Sequence, residues 1–127
     1  MTDTTQHTTH LSALADHHLS RAREAEHGRS AHLFLHDGPL RQSVIALTAG
    51  AELEEHNAPP AASLYLVRGS VRVVPAEGRG ASIPLTEGEI LKVPQVRHAV
   101  VALEDAVLVL TSVTAVPDAD APGAGWG

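Results

Sequence analysis

The sequence predicts an all-β antiparallel sandwich or barrel preceded by one α-helix, and two observations carry that prediction. From Ser30 to Val113 the chain breaks into roughly nine short runs rich in Val, Ile and Leu, separated by turn residues and without a helical period between them, the pattern of an antiparallel sheet protein. Ahead of them, between His10 and His27, apolar residues recur at steps of three and four, the stripe of an amphipathic helix. A length of 127 residues suits one domain with one core.

Residues 1–9 are polar and Thr-rich, with nothing to bury, and are expected to be disordered. The predicted helix spans residues 10–28: Leu11, Leu14, Ala15, His18, Leu19 and Ala22 form its stripe, Thr9 can cap its start and Gly28 can end it. A β-domain is expected over residues 30–116. Its strands are Ala31 to Leu35, Leu40 to Leu47, Glu52 to His56, Ser63 to Arg68, Val71 to Val74, Ala81 to Leu85, Glu89 to Val93, His98 to Ala102 and Ala106 to Val113. The pair Gly69-Ser70 between two such runs reads as a hairpin turn, with Gly69 able to take positive φ. Residues 117–127, rich in Pro, Gly, Ala and Asp, cannot form a core and are expected to be a disordered tail.

Composition narrows the function classes. The net charge is −6 with the histidines neutral, and the arginines are scattered, so no basic patch for nucleic acid or an anionic membrane is expected. The absence of cysteine excludes disulfides and thiolate metal sites. The N-terminus lacks the basic-then-apolar pattern of a secretory signal, and no apolar stretch reaches spanning length; a cytoplasmic location is the expectation. There is no Gly-x-Ser-x-Gly elbow, no Gly-rich phosphate loop and no Cys nucleophile.

Two segments share a spacing: Gly50, His56 and Gly69 in the first, and Gly88, Pro94 and His98 in the second. They resemble the two signature motifs of the cupin superfamily, and the resemblance runs through roughly Leu40 to Val113. It implies a double-sheet jelly-roll barrel with its site inside, and it places His56 and His98 at two of the four metal-ligand positions. The other two ligand positions hold Ala58 and Ala62, and Val96 replaces the inner glycine of the second motif. A metal held by His56 and His98 would need Glu55, Glu54, His32, His36 or waters to complete its shell, since non-haem iron uses two imidazoles and a carboxylate. The expectation is a small-molecule-binding protein with a reduced metal site. The alternative is a metal-dependent dioxygenase, isomerase or lyase using iron, zinc, nickel or manganese with a substitute ligand.

Strand alternation supplies further candidates. One of Arg41 and Gln42 should point inward, and Arg41 could meet an anionic ligand. Arg97, just before His98, would sit at the barrel mouth within reach of a carboxylate. His32 and His36, four apart on a strand, are expected to share a face. Tyr65 should lie on the opposite face from Ala62. His17 and His18 read as helix residues, exposed or partly buried. A homodimer paired through sheet edges is expected, because unpaired edges are a liability.

Overall fold

The computed structural model describes residues 8–56 and 59–114, apart from the side chains of Glu55 and His56. The expected tails therefore lie almost wholly outside the described residues.

Helix α1 spans Leu11–Glu24, shorter at both ends than expected. His10 rather than Thr9 is the cap: its Nδ1 accepts the backbone N–H of Ala13 at 3.3 Å. At the other end Ala25 is already extended, and Gly28, at φ 68°, closes the following turn by donating its N–H to the Ala25 carbonyl. Ala15, His18, Leu19 and Ala22 are the buried stripe.

Among the described residues nine strands follow: β1 (Arg29–Asp37), β2 (Leu40–Leu47), β3 (Glu52–His56), β4 (Ala61–Arg68), β5 (Ser70–Pro75), β6 (Ile83–Thr86), β7 (Ile90–Lys92), β8 (His98–Ala102) and β9 (Ala106–Val113). They form two antiparallel sheets, one ordered β1-β2-β9-β4-β7 and the other β3-β8-β5-β6. The arrangement is that of a jelly roll made of two facing sheets.

Between the sheets lies the main core, built from Ile45 and Leu47 of β2, Leu64 and Leu66 of β4, Val71 and Val73 of β5, Val100 of β8 and Leu108 of β9. A second cluster fills the space between α1 and the outer face of the five-stranded sheet: Ala15, Leu19 and Ala22 pack on Val44, Ala46 and Val107. Strand β2 thus alternates cleanly, with Ile45 and Leu47 inward and Val44 and Ala46 toward the helix. Two ion pairs tie the helix down. Arg68 reaches Asp16 at 2.6 Å, and Arg23 reaches Asp105 at 3.0 Å.

The expected hairpin at Gly69-Ser70 does not form. Strands β4 and β5 have no pairing with each other: β4 pairs with β7 and β9, and β5 with β6 and β8. Gly69, at φ 83°, is instead the corner where the chain leaves one sheet for the other, and a Cβ there would overlap the Asp105 carbonyl oxygen. Positive φ was legible from the glycine; the partner strand was not.

Candidate functional site

The strand register sets the inward face of the five-stranded sheet row by row. Ile45 and Leu108 are opposite each other, as are Ser43 and Leu110, and then Arg41 and Ser112. Opposite residues in an antiparallel pair share a face. Arg41 is therefore on the same inward face as the core residues Ile45 and Leu108, one step beyond Ser43, about 7 Å along the strand. The row continues sideways through Ser112 to Ala62 of β4 and, on the other side, to His36 of β1. Gln42 does not join it. It faces the opposite way, bonds to the Thr111 hydroxyl at 2.9 Å and lines a surface groove with Leu11 and Phe34, so strand alternation removes it from the pocket.

His32 and His36 do not share a face either. The register of β1 on β2 shifts between Leu33 and Leu35, so Phe34 is an extra residue, and a bulge reverses the alternation beyond it. His32 falls opposite Val44 on the helix side, where its ring stacks on His18 with centroids 5.8 Å apart. His36 falls opposite Arg41 on the inward side and is exposed.

On the facing sheet, His98 is the buried polar residue, 2% exposed. Its Nδ1 lies 2.8 Å from the Val96 carbonyl; since a carbonyl oxygen only accepts, Nδ1 is the donor of this bond. The ring lines a cavity of about 30 Å³ with Ile45, Leu53, Leu64, Val93 and Leu110. That volume holds one or two waters or an ion, against roughly 300 Å³ or more for the body of a typical organic ligand. Gln95 closes the rim by bonding to the Pro59 carbonyl at 3.1 Å. Arg97 is exposed beside it, its carbonyl accepting from Ala76.

His56 stands opposite His98 in the β3–β8 register, and a bulge between Leu53 and His56 brings His56 rather than Glu55 to that position. The side chains of His56 and Glu55, and all of Ala58, lie outside the described residues. Glu54 is exposed. Among the described residues no group of three His, Asp or Glu could hold a metal ion. The described donors therefore do not make the shell of three or more protein ligands that iron or zinc sites use.

At Arg41 the buried Nε has no hydrogen-bond partner among the described residues. An unpartnered buried guanidinium nitrogen is costly, and the position two strands across in the same row, where the resemblance expects a Glu, is Ala62. Strand alternation alone left open which of Arg41 and Gln42 points inward, because large apolar residues stand on both phases of β2; the packing puts Arg41 in step with the core residues Ile45 and Leu47.

No family model matches the sequence, and no curated protein matches it. Solved structures do match. An RmlC-like cupin from Shewanella frigidimarina is 26% identical, with a TM-score of 0.61, over 72% of this chain and 81% of that one. KdgF from Halomonas sp. is 25% identical, with a TM-score of 0.58, over 70% and 83%. A salicylate 1,2-dioxygenase from Pseudaminobacter salicylatoxidans is 20% identical, with a TM-score of 0.68, over 86% of this chain and 35% of that one. The fold is the cupin jelly roll. The chain shares this fold with small single-domain cupins among the solved structures.

Proposed function

We propose that this domain binds a small organic acid at the mouth of the jelly roll, with Arg41 gripping the ligand carboxylate and the polar end of the ligand directed toward His98. The buried, unpartnered Nε of Arg41 on the inward face carries this reading. A carboxylate supplies what that nitrogen lacks, in a charge-assisted and often bidentate bond. The small side chains of Ala62 and Ser112 leave room beside it, and the narrow cavity at His98 admits a polar group or water but not the ligand body. Binding at this site needs no metal.

The second reading, a metal-dependent enzyme such as a dioxygenase, isomerase or lyase, is favoured by one observation. Metal-ligating histidines usually donate their other ring N–H to a carbonyl, as His98 does to Val96, and His56 is its register partner. Isothermal titration of the protein with a panel of small mono- and dicarboxylates, alongside metal analysis of protein purified without chelator, tests both. Saturable carboxylate binding that Arg41→Met weakens by about tenfold or more supports the first reading. Close to one metal per chain, lost on His56→Ala, with carboxylate binding unaffected by Arg41→Met, overturns it.

A further inference from the structure

Outside the jelly-roll mouth, a second concavity runs between α1 and the edge strand β1. One part, about 400 Å³, is lined by His17, His18, Arg21, Ser30 and His32. It adjoins another of about 300 Å³ that shares Arg21 and Ser30 and adds Arg29. Both volumes fall at the lower end of the roughly 300–1,000 Å³ range of small-ligand sites, unlike the interior cavity.

The walls of the groove carry positive or protonatable groups almost without relief. From the helix come His17, His18 and Arg21, and from β1 come Arg29 and His32; the acidic residue among the lining groups is Glu24, three residues beyond Arg21 on the helix, in the adjoining part only. Arg29 is engaged with the Glu52 carbonyl at 3.1 Å, whereas Arg21 makes no ion pair or hydrogen bond among the described residues. The floor is fixed. His18 is buried, holds Ser30 Oγ at 2.8 Å, and is wedged between the ring of His17, edge-on at 5.0 Å, and that of His32, stacked at 5.8 Å.

The crowding has an electrostatic consequence. Burial, followed by the nearby His17, His32 and Arg21, pushes the His18 pKa below the usual imidazole value. The groups acting on it are two imidazoles and a guanidinium, with no carboxylate among them. Parallel stacking of His18 and His32 does not aim their nitrogens at one point, and no metal-holding group exists here among the described residues.

We propose that the groove between α1 and β1 is a binding site for a small oxyanion-bearing molecule, a phosphate or a carboxylate, with Arg21, His17 and His32 as its donors. Arg21 supplies a permanent charge and a planar fork of donors matched to either oxyanion, and imidazole N–H groups donate from the two flanking rings whether neutral or charged. The site is separate from that of Arg41, which faces the opposite side of the same sheet.

The test is titration of the intact protein at about pH 7 with inorganic phosphate and, separately, with succinate, following the histidine ring signals by NMR. The expected result is saturable movement of the His17, His18 and His32 signals, with His10 and His27 as unmoved controls. Arg21→Gln and His32→Gln should each weaken the response by about five- to twentyfold while leaving the helical signal intact. Arg41→Met should leave it unchanged. A response to phosphate alone assigns the site to phosphate groups, and a response to succinate alone to carboxylates. Movement that is linear without saturation, that spreads equally to His10 and His27, or that survives Arg21→Gln unchanged would overturn the proposal.

Discussion

Replacing Arg41 by Met separates what the residue costs the fold from what it does for a ligand. Its Nε is buried and unpartnered among the described residues, and an unsatisfied buried donor costs about 1–3 kcal/mol. Because the Arg41 residue as a whole is only half-buried, the lower end, about 1 kcal/mol, applies. Methionine keeps the apolar stem that packs beside Ser43 and Ser112 and removes the donor. In the absence of ligand, Arg41→Met should therefore melt at the wild-type temperature or up to about 5 °C above it, since 1 kcal/mol moves the melting point of a domain this size by roughly that much. In the presence of a saturating organic acid the order reverses. Loss of a charge-assisted bond worth about 1.5–3 kcal/mol weakens binding by roughly 10- to 150-fold, and the wild type alone gains thermal stability from the ligand. Differential scanning fluorimetry with and without the carboxylate panel reads both effects. A variant that loses more than about 1 kcal/mol without ligand, yet shows the same ligand-induced shift as wild type, would refute the reasoning, because Arg41 would then be a structural residue.

Ala62→Glu places a carboxylate in the Arg41 row, about 10 Å across two strand spacings; the long side chains can meet, and the variant should lose organic-acid affinity by about tenfold in calorimetry, while unchanged affinity would show that the ligand lies elsewhere. Gly69→Ala should destabilise the domain by about 3 kcal/mol or more in urea unfolding, since it combines positive φ with overlap of backbone atoms at Asp105. Asp105 accepts the Ala49 N–H and then Arg23, which hold its carboxyl below the usual value; a depressed pKa means that the unfolded chain binds the proton more readily, so the stabilisation is complete above about pH 4 and is lost as pH falls through the native value. Asp105→Asn should flatten that acid limb of stability against pH, and an unaltered limb would exclude Asp105 as its source. The lowered His18 pKa has the same sign, with stability full above about pH 6.5 and declining below it as the buried ring is forced to charge; His18→Gln should remove this component from the unfolding curve measured between about pH 7 and pH 5.

Local pattern by itself determined the helix stripe and the approximate positions of the nine strand segments, because those depend on residue spacing within one element. β2, β3, β8 and β9 have the limits that the apolar runs suggested. The motif spacing from Gly50 to His98 pointed to the cupin jelly roll, the fold that the structure has, and His56 stands opposite His98 in its register. Tertiary structure decided everything that depends on a partner strand. Whether Gly69 turns a hairpin or a sheet corner depends on where β4 and β5 find hydrogen bonds, which no local run of residues encodes. A single extra residue at Phe34 sent His32 to the helix and His36 to the mouth, and a bulge is a mismatch between two strands that neither strand shows alone. The same holds for the two candidate sites. Arg41 becomes notable only when its row is found to hold Ala62 and Ser112 and no carboxylate, and the groove of His17, His18 and His32 exists only because α1 docks against β1, joining residues far apart in the chain through packing rather than sequence.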